Sequence, residues 1–498
     1  MARATLLSFQ PQLPPVLPTI HGSVDYRDFR EQLLRLDQVL LASGLETQMI
    51  QADLEAWSAR RKNLGARAQQ TRQRHARRAL RCNLARFILQ EDFRGLSARL
   101  ADSPLLQFFC GLSQVDLIRV PSKSALERYD KWWPEDSIRQ AVHALLGFGA
   151  STPAALHLPA AVDLLTAFVD TTCLEANIHY PVDWVLFRDA TRTLIKAMQL
   201  IRAQGLKHRM PTPESFLTRI NTLCIQMTHK ARSKAAKTDS QRQRKRTLRQ
   251  MDRVLGTVRQ HARRYRQLLD QRWSETEWTR PQAEQVLRRM DQVLEQLPKA
   301  RAQARQRILQ GEPVANKEKI LSLYEPDVQV IVRGKAGAEV EFGNTLMIAE
   351  NPQGFILDWE LFRQSAPADS ALLPRAVSRL KKAYGPKLKA VGGDRGFDSE
   401  ANRSCLAEQK IYNGICPRDP RALRQRKTSW KFQRLQRRRA QTEGRLAILK
   451  NAFGAGQMRS KGFAHRERTV SWTVLTHNLW LLARLQQSHA REAQQKAA

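Results

Sequence analysis

The sequence lacks any close pair of cysteines. Its six cysteines are scattered over 498 residues, with no Cys-x-x-Cys pair, and they are Cys82, Cys110, Cys173, Cys224, Cys405 and Cys416. Zinc fingers need closely spaced ligand pairs, and small secreted proteins depend on dense cysteine frameworks. Both classes are excluded, and we expect reduced thiols in a cytoplasmic protein.

The sequence also lacks a long hydrophobic run. No stretch reaches the roughly 18 to 20 apolar residues that a helix needs to span a bilayer. The segment from Met1 to Ser8 holds no long apolar core before Pro11, which argues against a signal peptide. We therefore expect no membrane partner.

Acidic residues are few relative to basic ones. Lys and Arg total 83 against 47 Asp and Glu, which gives a net charge of +36 and a pI near 10.8. Such an excess opposes folding by self-repulsion, so it favours a polyanionic partner. An anionic membrane is the competing partner, but without a membrane segment we expect a nucleic acid. The 42% hydrophobic content indicates a globular chain, and the length predicts two or three domains.

Residues 1–150 are predicted to form a helical N-terminal region that binds DNA. Apolar residues recur at three- and four-residue spacing from Asp25 onward, and a basic run covers residues 60–78. Residues 120–129 resemble the start of a recognition helix, with Ser122 or Ser124 as its N-cap. An ordinary capped surface helix explains the same residues equally well.

Residues 189–317 have almost no strand signal and are predicted to form a basic helical insertion. Two polar stretches, 241–272 and 281–309, indicate an antiparallel helical hairpin. The segment Thr279-Arg280-Pro281-Gln282 has capping-box spacing with a proline near the helix start. Basic residues crowd the first stretch, namely Arg242, Arg244, Lys245, Arg246 and Arg249. A solvated charged face is the plain explanation, but this density is typical of phosphate contacts, and we predict that the first four bind DNA.

Strand patterns lie on both sides of this insertion. Within residues 151–188 an apolar run ends at Asp170, followed by a Thr-Thr turn. Three antiparallel strands are predicted over residues 327–332, 340–349 and 354–359.

Helices and strands alternate beyond these strands. A helix capped by Asp369 or Ser370 precedes a short strand that ends at Asp394. A helix, a strand, a basic helix with Glu443 and an apolar final helix complete the pattern. We predict one α/β domain with a mixed sheet, formed by residues 151–188 and 318–486, with residues 487–498 as a tail.

Three carboxylates are candidates for a metal site. Asp170 and Asp394 each follow an apolar strand, and glycines on both sides of Asp394 let backbone and substrate approach closely. Mg²⁺ prefers oxygen ligands and is usually held by one or two carboxylates. Four other acids could be the first of the three carboxylates in place of Asp170, namely Asp163, Asp183, Asp189 and Asp327. We prefer Asp170 because it ends an apolar run.

The third candidate, Glu443, is predicted to share a helix with two cations. Arg439 and Lys450 lie four residues before it and seven after it, which puts all three on one helix face. Taken alone, this arrangement is typical of an ion-paired surface.

The order of several short motifs resembles that of the acid-triad (DDE) transposases of bacterial insertion sequences. The matching segments are Val169-Asp170-Thr171-Thr172, Glu175-Ala176-Asn177-Ile178, Glu325-Pro326-Asp327, Phe342-Gly343-Asn344, residues 393–399 (Gly-Asp-Arg-Gly-Phe-Asp-Ser), and Arg439, Glu443 and Lys450 at their spacing. Together they span residues 160 to 465. In a large branch of the family a tyrosine stands three positions before the arginine; here Gln436 stands there.

The resemblance implies an RNase H-like catalytic domain in which Asp170, Asp394 and Glu443 are the catalytic, metal-binding triad. It implies that Arg439 and Lys450 contact the transposon-end DNA, and Arg395 is a further predicted DNA contact. Two Mg²⁺ ions, with Mn²⁺ as a substitute, would serve first cleavage at the element ends and then joining to target DNA. The implied partners are terminal inverted repeats, target DNA and a second copy of the chain.

Two other functions fit the same residues. An RNase H-like metal-dependent nuclease would share the active site without strand transfer, and a non-catalytic nucleic-acid-binding protein would share the basic regions. The long insertion and the large basic flanks favour the transposase.

Overall fold

The computed structural model describes residues 18–61, 65–112, 119–232, 237–335, 338–454, 458 and 460–497. Within these ranges, no helix combines the length and apolarity needed to span a bilayer.

The N-terminal part of the described chain is helical. Its helices are α1 (Val24–Ala42), α2 (Leu45–Ser58), α3 (Ala66–Leu89), α4 (Phe93–Asp102), α5 (Pro104–Phe109), α6 (Lys123–Asp130) and α7 (Glu135–Ser151). The Ser122 side chain accepts a hydrogen bond from the backbone N–H of Ala125, so the predicted cap of α6 is confirmed. Helix α6 buries Leu126 and Tyr129, and its contact with DNA stays a prediction.

The first strand leads directly into a helical bundle. Strand β1 (Thr166–Glu175) is followed by α8 (Asp183–Ala203), α9 (Pro213–Arg232), α10 (Lys237–Arg272) and α11 (Arg280–Ala304). These helices share a core of their own, in which apolar side chains such as Leu255, Val258 and Tyr265 recur at helical spacing. The capping box predicted at Thr279 and Gln282 is confirmed.

The remaining elements complete the sheet and cover it. They are β2 (Gln329–Lys335), β3 (Ala338–Glu350), β4 (Ile356–Leu361), α12 (Asp369–Tyr384), β5 (Ala390–Gly393), α13 (Glu400–Glu408), β6 (Tyr412–Ile415), α14 (Pro420–Arg426), α15 (Trp430–Arg439), α16 (Thr442–Ile448) and α17 (Phe463–Ala497). The helix predicted to be capped by Asp369 or Ser370 has Ala368 as its N-cap and no side-chain cap, so that prediction is wrong.

The sheet is mixed, as predicted. Its strand order is β2-β3-β1-β5-β6, with β4 also paired to β3. Strand β1 is antiparallel to β3 and parallel to β5, and β5 is parallel to β6. The carboxyl ends of β1, β5 and β6 therefore point the same way, which gathers the residues that follow them at one edge of the sheet.

One hydrophobic core joins the N-terminal helices to the sheet. The long helix α17 packs against α1, α3 and α7, and its buried Trp472 meets Trp133 edge-on at 6.0 Å between ring centroids. Asn478 of α17 exchanges two hydrogen bonds of 2.9 Å with the backbone of Ile356 in β4. The N-terminal helices are thus held rigidly beside the sheet by shared packing.

Candidate active site

Asp170 and Asp394 belong to neighbouring parallel parts of the sheet. Phe168 of β1 pairs with Gly392 of β5. Asp170 lies two residues after Phe168 within β1, and Asp394 lies two residues after Gly392, directly beyond the end of β5. The sequence pattern predicted that the strand ends at Asp170, and this is wrong. Strand β1 continues to Glu175 because it pairs with the long strand β3 over that length. The Thr-Thr segment is therefore extended strand, which suits β-branched residues.

The two faces of β1 meet different helices. The guanidinium of Arg438 in α15 lies 5.0 Å from the ring of Phe168, and Asp170 points to that same face because side chains alternate along a strand. The Thr171 hydroxyl, on the opposite face, donates a 3.1 Å hydrogen bond to Oδ1 of Asp369 in α12. Asp170 therefore lies on the face that α15 covers.

Asp394 caps a tight turn beside another carboxylate. Its Oδ1 accepts a 2.8 Å hydrogen bond from the Gly396 N–H, at the start of the short 3₁₀ turn Arg395–Phe397. A Cβ placed on Gly396 would stand 2.5 Å from Asp369 Oδ2 and 3.0 Å from Asp394 Oδ1. Any larger residue here would force one of these two carboxylates to shift. Asp369 was missed as a site residue because its position before an apolar helix resembles an ordinary cap.

Glu443 and Arg439 do not lie on one continuous helix, contrary to the prediction. Helix α15 ends at Arg439 and α16 begins at Thr442. The buried Glu350 carboxylate bridges the break, because it accepts hydrogen bonds from Arg438 at 3.0 Å and from the Thr442 hydroxyl at 2.7 Å. Glu443 is exposed, at the start of α16.

The charges of the other candidate residues act on the pKa of Asp170. Burial, together with the charges of Asp394 and Glu443, raises the pKa of Asp170 to about 6. The Thr171 N–H, which donates to Asp170 Oδ1 at 2.8 Å, and the Arg439 charge act in the opposite direction. Arg439 Nε is buried, with no hydrogen-bond partner in the described chain.

The donor set suits a hard divalent cation. The Asp394 carboxylate is close enough to act on the charge of Asp170, and the like charges around Asp170 are ones that a cation would neutralise. Among the described residues, no group of three or more His, Cys, Asp or Glu side chains is close enough to hold an ion. The two aspartates are of the kind that fits such an ion.

The predicted DNA-contacting residues lie in different surroundings. Lys450 donates a 2.8 Å hydrogen bond to the Cys173 carbonyl of β1, and Arg395 is exposed beside Asp394. In α10, Arg242 and Arg246 are exposed and Lys245 is half-buried. Arg244 lies 5.7 Å from the ring centroid of Trp184.

The four acids that were alternatives to Asp170 lie in surroundings other than those of Asp170. Asp163 accepts hydrogen bonds from the Leu165 and Thr166 N–H groups before β1. Two acids belong to α8, where Asp183 pairs with Arg307 and Asp189 with Arg188. Asp327 precedes β2.

Comparison with known families settles the class of this domain. Residues 331–479 match the family model of the transposase DDE domain. The chain carries the DDE domain of insertion-sequence transposases. It is therefore a DDE-type transposase, a class of enzyme that cleaves DNA with the help of divalent metal ions. The matched range includes Asp394, Arg439, Glu443 and Lys450, whereas Asp170 precedes it. No curated protein and no solved structure matched the chain.

Proposed function

We propose that Asp170, Asp394 and Glu443 are the catalytic triad of this transposase. The observation that carries the proposal is the register of β1 and β5, in which Phe168 pairs with Gly392, two residues before each aspartate. The charge of Asp394 also acts on Asp170, which supports a shared site. Glu443 and Arg439 act on the charge of Asp170, so both belong to the same electrostatic site.

The three carboxylates would hold two Mg²⁺ ions, for which Mn²⁺ substitutes. Two such ions, when bound, activate the attacking oxygen and stabilise the leaving oxygen of a phosphodiester. The Thr171 N–H group donates to one oxygen of Asp170 and holds it in place. The Gly396 N–H group does the same for one oxygen of Asp394. Arg439, whose buried Nε has no hydrogen-bond partner in the described chain, is proposed to turn toward a DNA phosphate when DNA binds.

The proposed reaction has two stages at this one site. A water molecule first attacks the phosphodiester at the element's end and frees a 3′-hydroxyl. That hydroxyl then attacks target DNA, so the same carboxylates serve cleavage and joining. The carboxylates position the reacting groups and form no covalent bond with DNA.

The helical insertion is proposed to hold the ends through their phosphates. Residues 189–317 contain 29 Lys and Arg against 11 Asp and Glu. Seven exposed residues of α10 follow one another at helical spacing, and we call this row the α10 stripe: Arg242, Arg246, Arg249, Arg253, Thr257, Gln260 and Arg264. The α10 stripe is ~33 Å long and contains five arginines and no acid. The nearby Asp252 turns away and pairs with Arg301 and Arg305. A continuous cationic face of this kind suits a DNA backbone.

Further contacts and the assembly complete the proposal. Lys450 and Arg395 flank the aspartates and would meet DNA close to the reacting phosphate. The helical N-terminal region would bind the terminal repeats, and a homodimer on DNA would bring two ends together.

The test compares the wild type with Asp394→Asn on DNA with verified element ends and a target plasmid, with Mg²⁺ or Mn²⁺. We expect metal-dependent 3′-end cleavage and joined products, both lost in the variant, while DNA binding is retained. Cleavage without joining would instead favour a nuclease. Binding without cleavage by the wild type would leave a DNA-binding protein and overturn the catalytic assignment.

A further inference from the structure

Trp430 is unusual among the tryptophans of this chain. All ten tryptophans lie in the described ranges, and Trp430 alone is classed as exposed, at 68%. It is the first residue of α15, and the guanidinium of Arg434 lies 5.4 Å from its ring centroid. A large aromatic ring that no core covers is available to a partner.

The exposed face of α15 is cationic. Trp430, Arg434 and Arg437 are exposed and follow one another at four- and three-residue spacing, which places them in one row; we call this row the α15 stripe. The surrounding residues 418–439 contain ten Lys and Arg and a single acid, Asp419. The charge of this face is complementary to a polyanion.

The α15 stripe leads toward the carboxylates. Near its start, the Ser429 hydroxyl lies 3.4 Å from the Tyr412 hydroxyl, at the beginning of β6. Near its end, the Gln436 side chain donates a 2.6 Å hydrogen bond to the Gly414 carbonyl, next to the carboxyl end of the sheet. The row covers ~10 Å from Trp430 to Arg437, and Arg439 and Glu443 follow it.

We propose that the α15 stripe binds a single-stranded DNA segment that leads into the active site. An unstacked base lies on Trp430, and the adjoining phosphates meet Arg434 and Arg437. The aromatic ring distinguishes this occupant from a duplex, because bases in a duplex are already stacked and offer no free face. This inference rests on the proposed function, since it assumes that DNA is the substrate of the neighbouring carboxylates.

The test measures binding by the full chain in the presence of a chelator, so that cleavage does not occur. Fluorescence anisotropy would compare a labelled single-stranded oligonucleotide of element-end sequence with its duplex. The variants are Trp430→Ala, Trp430→Phe and, as control, Lys382→Ala on α12, which covers the opposite sheet face. Trp430 is exposed, so its replacement should leave the fold intact, which circular dichroism checks.

We expect Trp430→Ala to weaken single-strand binding by roughly five-fold or more and to leave duplex binding unchanged. Trp430→Phe should retain most of the affinity because it keeps an aromatic face, and Lys382→Ala should behave as wild type. Arg434→Gln and Arg437→Gln should each reduce the salt dependence of single-strand binding by a slope of ~0.7.

Two results would overturn the inference. One is single-strand binding by Trp430→Ala equal to that of the wild type. The other is an equal loss of single-strand and duplex affinity, which would show a general surface effect. Failure of the proposed function is a separate result, because it is read from wild-type cleavage of verified ends with metal present.

Discussion

Replacing Asp170 with asparagine should stabilise the metal-free protein at neutral pH while abolishing its activity. The Asp170 pKa lies at about 6 instead of 3.8, a rise of about two units. At 1.36 kcal/mol per unit, the ionised carboxylate costs the folded state ~3 kcal/mol. Asparagine removes the charge and keeps an oxygen that can accept the Thr171 N–H.

The sign of the pH dependence follows from the same shift. Because the folded-state pKa is raised, the stability linked to protonated Asp170 is fully present below about pH 3.8 and is lost as the pH rises through about 6. The variant should therefore unfold several degrees above the wild type at pH 8, and the difference should vanish near pH 4.

Thermal unfolding in a chelator, followed at both pH values, measures this difference. Asp163→Asn is the matched control, because its carboxylate accepts two backbone hydrogen bonds. In a chain of net charge +36, loss of that acid should destabilise the protein. Magnesium should raise the unfolding temperature of the wild type more than that of Asp170→Asn. A variant less stable than the wild type at pH 8, or a difference that does not depend on pH, would refute the reasoning.

Three further predictions concern the surroundings of the site. Gly396→Ala should lower the rate of DNA cleavage at least ten-fold, because its Cβ would stand 2.5 Å from Asp369 Oδ2. Adding Asp369→Ala should restore part of that rate. An unchanged rate in Gly396→Ala alone would contradict the crowding. Replacing the first three arginines of the α10 stripe with glutamine should lower the salt slope of duplex binding by ~0.9 each, with Asp394→Asn keeping the wild-type slope. Burial and the nearby Glu135 carboxylate raise the pKa of Glu467 to about 7. Its stabilising proton is therefore lost as the pH rises through 7, so Glu467→Gln should raise the unfolding temperature at pH 8 and leave it unchanged at pH 4.

Local patterns were sufficient where neighbouring residues dictate the structure. The capping box at Thr279 and Gln282 and the Ser122 cap involve partners within three residues, so sequence spacing alone predicts them. The DDE family assignment likewise follows from short motifs in order, because such chemistry needs particular residue types at particular places. The family match to residues 331–479 confirmed it.

Residue spacing failed where distant strands and helices decide the outcome. Strand β1 runs past Asp170 because β3 offers pairing partners as far as Glu175, and no local pattern near Asp170 reveals them. The break between Arg439 and Glu443 is bridged by Glu350, a buried carboxylate about ninety residues away in sequence that bonds to Arg438 and Thr442.

The sequence by itself determined the charge, the helix caps at Ser122 and Thr279, the alternation of strands and helices, and the class of enzyme, since each depends on composition or on residues close together in the chain. Only the tertiary structure decided that the charge of Asp394 acts on Asp170, that Asp369 lies against the Gly396 turn, and that Trp430 begins an exposed cationic row. These relations depend on strand register and on which helix covers which face, and both are set by packing between segments far apart in the chain.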